Sequence, residues 1–378
     1  MSVGAFAVVA ASSPNVGFRK RSPQNALRTK VDMKKNHNLT RRDFLKETAG
    51  SAGILAVGSG ALAASIGLGR AASAGKDANP FVYDVERLRK TDPKLIHYEQ
   101  VASFRSPHED SRRIAIGPDD QVYVAAGNYV SVLDREGTRI TDIPFPSEAR
   151  CMAAAGDGTI YAAVRDHVEV FDRKGKRLAT WDSPGKRVWL TGLAVGENDV
   201  FAADAGNRVI LRYDKSGKLA GRIAEKNKER NVAGLVVPSP YLDVVLARDG
   251  LLRVNNTGRH RVEAYTLSGD LESSWGKPSN AIEGFCGCCN PIGLTMLPDG
   301  RYVTCEKGLP RVKVYSPEGV FESVVAGTES FPENAKSGIN KTRADCMLGG
   351  LNAAVDSQQR IYILDLVVND VRVMKRKA

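Results

Sequence analysis

Four of the six cysteines fall in one stretch, Phe285 to Tyr315, as Cys286, Cys288, Cys289 and Cys305, and Cys346 follows. Thiols so grouped have two chemistries open to them. As thiolates they would hold a soft metal, copper or an Fe–S cluster, or exchange electrons. As disulfides they would staple loops to a scaffold, which suits an oxidising compartment. The C-x-C-C order is not the C-x-x-C of structural zinc, so zinc is the least favoured ion. Cys288 and Cys289 cannot bridge each other without strain, and five thiols leave at least one unpaired. Cys151 stands apart and reads as an isolated core thiol. His108, His167 and His260, with Asp204, Glu306 and Asp365, are the other groups able to act. Gathered at one mouth, they would form a metal or acid–base site of a hydrolase or lyase; scattered, they are solvated loop residues. No Ser-His-Asp arrangement, P-loop or G-x-G-x-x-G in a strand–helix context is readable.

Positioning these groups falls to a repeat. Six segments, beginning at Arg112, Arg150, Gly192, Leu242, Ile292 and Leu351, share a short apolar run, a polar turn and a second run rich in Val, Ile and Tyr. The turns fall at Asp119, Asp157, Glu197, Asp249, Asp299 and Gln358 and join runs too short for helices, which makes them β-hairpins. A second turn recurs at Gly137, Gly175, Gly217, Gly269 and Gly319 and adds a third and fourth strand. Four-stranded antiparallel units at this period predict an all-β, six-bladed β-propeller. The units resemble NHL repeats. The third carries Asp204, Asn207-Arg208-Val209 and Asp214-Lys215-Ser216-Gly217-Lys218, and the fifth Glu306, Arg311-Val312 and Glu318-Gly319. The first two lack the acidic residue followed by Asn-Arg. The resemblance implies the fold, and a structural role for the repeat's arginine, but it does not specify a function.

The sixth unit ends without a second turn, which would leave a sheet edge open. Ile96 to Phe104 reads as a strand with no hairpin partner, so the expectation is that this N-terminal strand closes the ring. Propeller connectivity then puts the long loops Arg222–Tyr241, Gly276–Pro291 and Ala326–Gly349 on one face, where binding usually resides. Cys286, Cys288, Cys289, Cys305 and Cys346 are expected on neighbouring blades at that face. The three histidines and three acids are expected around the channel mouth there, as polar groups lie in propeller lactonases and amidating lyases.

The net charge of +11 is concentrated in the leader: residues 1–74 carry eleven Lys/Arg against three Asp/Glu, and the remainder 43 against 40. A nearly balanced mature surface argues against nucleic acid as a partner. The leader resembles a twin-arginine (Tat) signal, with Arg41, Arg42, Phe44, Leu45 and Lys46, an uncharged run from Thr48 to Gly69, and a cleavage pattern at Ala72-Ser73-Ala74. The run is long enough to span a bilayer, but its Gly/Ala/Ser composition and the small-residue site favour cleavage, so a membrane is a partner only if the signal stays uncleaved. Met33 would begin a compact leader and is a plausible true start. The expected organisation is a leader at 1–74, an arm at 75–94 lying outside the ring, and a propeller at 95–378. The expectation is a protein handed folded to the Tat translocase and released into the periplasm. There it acts as a binding or scaffold protein for another protein or a small molecule through its long-loop face. The alternative is a metal- or thiol-dependent enzyme or redox partner.

Overall fold

The blade strands are short runs of β-branched and aromatic residues punctuated by Asp and Gly, and each run is too brief to bury a face alone. The computed structural model describes residues 85–337 and 349–378, all within one compact unit, Asp77–Ala378. The leader and Cys346 lie outside the described residues. Six four-stranded antiparallel sheets form the propeller. Blade one is Ser111–Ile116, Val122–Ala126, Tyr129–Leu133 and Arg139–Pro144. Blade two is Cys151–Ala154, Ile160–Val164, His167–Phe171 and Arg177–Thr180. Blade three is Leu190–Val195, Asp199–Asp204, Val209–Asp214 and Leu219–Ile223. Blade four is Val244–Leu246, Leu252–Asn256, Arg261–Tyr265 and Leu271–Trp275, and blade five is Gly293–Met296, Tyr302–Cys305, Val312–Tyr315 and Phe321–Ala326.

Blade six takes three strands from the C-terminus, Leu351–Val355, Ile361–Asp365 and Asp370–Arg376, and its fourth from the N-terminal side, Tyr98–Arg105. That strand pairs antiparallel with the last one, from Tyr98 opposite Arg376 to Arg105 opposite Asp370. The ring is thus closed as the unpaired edge required. Just before the closing strand, the His97 N–H donates to the Val324 carbonyl (3.2 Å), and Thr91 Oγ1 donates to Glu329 Oε2 (3.1 Å).

Burial follows strand position rather than alternation. The second strand of blade one is buried at all five residues, because both faces of a blade are covered by its neighbours. Its outer strand is mostly exposed. The turns carry the expected chemistry: Asp157, Asp249 and Asp299 accept, through Oδ1, the backbone N–H two residues on. At the second turn, Gly217 (φ +91°) and Gly319 (φ +82°) sit beneath the indoles of Trp181 and Trp275, where a Cβ would come within 2.4 and 2.2 Å of ring carbons. Glycine is therefore required there both by backbone conformation and by space. The two indoles form aromatic seams between blades, Trp181 with Tyr161 and Tyr213, and Trp275 with Tyr302 and Tyr315.

Candidate ligand site at the channel mouth

The cysteine-bearing loop is held down by blade five. Lys313, on that blade's third strand and fully buried, donates to the carbonyls of Ile282 (3.0 Å) and Gly284 (2.6 Å) and pairs with Glu306 Oε2 (3.3 Å). Its ammonium lies 4.7 Å from the Phe285 ring centroid. Burial pushes it down to about 8, against the partial support of Glu306. Arg311 Nε donates to the same Glu306 oxygen at 2.6 Å. Asn290 fixes the loop's far end, its Nδ2 donating to the carbonyls of Cys286 (2.7 Å) and Lys307 (2.9 Å).

Among the described residues all five cysteines are free thiols. The Cys288 and Cys289 sulfurs are 3.6 Å apart, Cys288 being exposed and Cys289 buried. Cys286 is buried near Glu306, Arg311 and Lys313. Cys305 points elsewhere: it is fully buried beside a channel ion pair of Arg113 and Asp243, and Cys151 adjoins the same pair. Cys151 packs in the core between blades two and three and Cys305 in that between blades five and six, both within electrostatic reach of the one ion pair, while Cys288 and Cys289 stay at the loop. Desolvation pushes Cys151 up to about 12 and also raises Cys286, Cys288 and Cys305, so none of these four is poised as a thiolate. No three His, Cys, Asp or Glu side chains among the described residues gather as a metal site.

The histidines and acids are dispersed. His108 stacks on Tyr129 and pairs with Asp142 (3.0 Å), on the outer strand of blade one. His167 starts the third strand of blade two beside Asp166 (3.1 Å) and Glu169 (3.5 Å). His260 Nε2 lies 2.8 Å from the Gly287 carbonyl and so touches the cysteine loop. The acids end (Asp204, Asp365) or directly follow (Glu306) the second strands of blades three, six and five, where they fasten loops. Asp204 accepts from the N–H groups of Trp189 (3.0 Å), Gly206 (3.0 Å) and Asn207 (3.1 Å). Glu306 holds Arg311 and Lys313, and Asp365 accepts from the Val367 N–H and Asn334 Nδ2, each at 2.9 Å. Their recurrence reflects one structural job repeated in several blades.

The channel mouth is built by residues at the start of the inner strands. Arg113 of blade one reaches across the ring to Asp243, just before the inner strand of blade four, with both N–O distances 2.8 Å. Asp243 also accepts the N–H groups of Val244 (3.0 Å) and Leu294 (3.1 Å). Arg113 lines a cavity of about 300 Å³ on the long-loop side and another of about 180 Å³ further along the channel, so it forms the partition between them.

The larger of these two cavities is walled by Arg112, Arg150, Trp189 and Tyr241. Arg112 Nε (2.6 Å) and Arg150 Nη2 (3.1 Å) share the two oxygens of Glu148. The Arg150 guanidinium lies 4.1 Å from the Trp189 ring centroid, and the Lys307 ammonium 4.5 Å from that of Tyr241. A further cavity of about 480 Å³ opens on the opposite face, at the hairpin turns of blades four and five. Its buried Arg253 is already bound to Asp249 and the Tyr302 hydroxyl, so it offers less unspent polar chemistry.

None of the residues expected at the mouth lines this cavity. The ones that do, Arg112, Arg113 and Arg150, stand where inner strands begin, and only the assembled ring shows that this position meets the cavity.

No protein-family model matches the chain, and no curated protein matches it. Among solved structures, a streptogramin B lyase is 14% identical and aligns with 74% of this chain and 97% of its own, with a TM-score of 0.49. Virginiamycin B lyase from Staphylococcus aureus is 12% identical, aligning with 74% of this chain and all of its own, with a TM-score of 0.48. The six-bladed architecture itself rests on the strand pairing described above.

Proposed function

We propose that this protein is a binding propeller, handed to the Tat translocase through Arg41 and Arg42, that works in the periplasm and takes its ligand at the channel mouth on the long-loop face. The observation carrying this reading is the cup itself: a cavity of about 300 Å³ floored by the Arg113–Asp243 bridge, with two aromatic side chains and several charged groups at its wall. A rigid ring surrounds it, so little ordering is required for a ligand to bind there. The NHL-like repeat is the scaffold in this reading, and the buried Glu306–Lys313 network keeps the cysteine loop in shape rather than doing chemistry.

The competing reading, a metal- or thiol-dependent enzyme or redox partner, would use Cys286, Cys288, Cys289, Cys305 and Cys346. The raised thiols of Cys286, Cys288 and Cys305 weigh against a nucleophilic role for those three. Native mass spectrometry and metal analysis of protein purified from the exported fraction separate the two. The binding reading expects a non-covalent small-molecule or protein adduct that is lost in a Trp189→Ala, Tyr241→Ala variant. Stoichiometric metal with visible absorption, unchanged in that variant, would replace it with the cysteine-centred alternative.

A further inference from the structure

Building on the mouth as the ligand site, we propose that its ligand is a small organic anion: a carboxylate, sulfonate or phosphate ester carried on a compact apolar body. The charge balance of the cup points there. Arg112, Arg113 and Arg150 line it, and the Arg165 guanidinium lies 5.9 Å from the Trp189 ring centroid. Among the described residues the carboxylates bound to these arginines are Glu148 and Asp243. Asp243 is spent, since its oxygens take both Arg113 contacts and two backbone N–H groups.

Glu148 takes a single N–H from each of Arg112 and Arg150, and a guanidinium carries five in a planar fork. Arg112 and Arg150 therefore keep donors for a second acceptor, in the geometry that suits a two-oxygen anion. Desolvation pulls the Arg150 guanidinium below its ordinary value against the support of Glu148, and like charge at Arg112 and Arg165 adds to this, a repulsion that an incoming anion would relieve.

The apolar half of the ligand follows from the other wall residues. Trp189 and Tyr241 supply ring surface, and Leu242, Ile292 and Leu351 complete the lining. Two buried donors of lining residues, the Trp189 indole N–H and the Arg113 Nε–H, have no partner among the described residues, and unpaired buried donors favour an occupant that can accept. The volume is at the small end for ligand pockets, which sets the size at roughly one ring with its anionic group.

The test uses the full mature chain and isothermal titration with benzoate, benzenesulfonate, phenyl phosphate, benzyl alcohol, benzylammonium and inorganic phosphate. The proposal expects the aromatic anions to bind about tenfold or more tightly than benzyl alcohol, with benzylammonium weaker still. Arg150→Gln should weaken the aromatic anions more than it weakens benzyl alcohol, so that the roughly tenfold preference collapses, and Arg150→Lys should restore part of it. Unchanged thermal melting of both variants guards against a folding effect. Benzyl alcohol binding as tightly as benzoate would overturn the anion inference and leave the mouth as a ligand site. Inorganic phosphate matching phenyl phosphate would overturn the apolar body. No probe binding at all would remove both the inference and the site on which it rests.

Discussion

Replacing Lys313 by methionine sets two opposing effects against each other, and pH separates them. The ammonium is fully buried and burial pushes it down to about 8, against 10.5 for an ordinary lysine. Below pH 8 both folded and unfolded chains hold this proton, and the whole cost of burying the charge is present. Between pH 8 and 10.5 the unfolded chain binds more protons, so this group makes stability rise with pH; above 10.5 neither state holds the proton and the cost is gone. At about 1.4 kcal/mol per pH unit, that window is worth about 3 kcal/mol. Methionine removes this cost, but it strips the Ile282 and Gly284 carbonyls of their donor, at about 1–3 kcal/mol each. The variant should therefore be near neutral to about 3 kcal/mol less stable at pH 7. The wild-type advantage should then widen by about 3 kcal/mol by pH 10.5. Urea unfolding of both proteins at closely spaced pH values, followed by tryptophan fluorescence, reads this as a difference of slopes. Cys286 interacts electrostatically with Lys313, so the comparison is made in a Cys286→Ser background, where that thiol does not titrate. Parallel curves across pH 8 to 10.5 would refute the assignment of Lys313 as a buried, loop-holding cation.

Three further outcomes follow from the same physics. Arg113→Met leaves Asp243 buried without its cation and should cost about 3–5 kcal/mol in urea unfolding, most of which is regained when Asp243→Asn is added. Gly217→Ala forces a Cβ into the Trp181 indole at positive φ; a loss of about 1–3 kcal/mol, seen as a lowered melting temperature, is expected, and an unchanged melting temperature would contradict the seam. Lys at both Arg41 and Arg42 should retain the protein in the cytoplasm when cells are fractionated, whereas continued export would contradict the Tat assignment.

The fold was legible because its determinants are local. Hairpin turns announce themselves through Asp157, Asp249 and Asp299, and the second turns through glycines that no other residue replaces without strain. Closure by the strand around Tyr98–Arg105 was legible by subtraction, since blade six lacked an edge and one strand lacked a partner. The mouth was not legible in this way. Arg113 and Asp243 are 130 positions apart in the chain and meet only because three blades of rotation put their inner strands opposite each other. A charged residue at the start of a strand otherwise reads as an ordinary polar end.

Recurrence is what separates the structural from the functional groups here. Asp204, Glu306 and Asp365 stand at the ends of equivalent strands and look like a ring of acids around a mouth, yet each holds its own loop. A group that a repeat reproduces blade after blade answers a need the blades share. Beyond the arginines that open blades one and two, the groups at the cup do not recur. Blade one offers Arg112 and Arg113 there, blade two Arg150, blade three Trp189, and the approach to blade four Tyr241 and Asp243. The inner-strand starts are all channel-facing, so divergence among them cannot serve the common fold and is free to serve a ligand. Arg113 shows both demands in one residue. Its bridge to Asp243 ties opposite sides of the ring together, and the same bridge makes the floor on which a ligand would rest. Variants of Arg113 will therefore mix stability with binding, whereas Arg150, partly exposed and with its side chain held among the described residues by Glu148 and the Trp189 face, is where the two can be told apart.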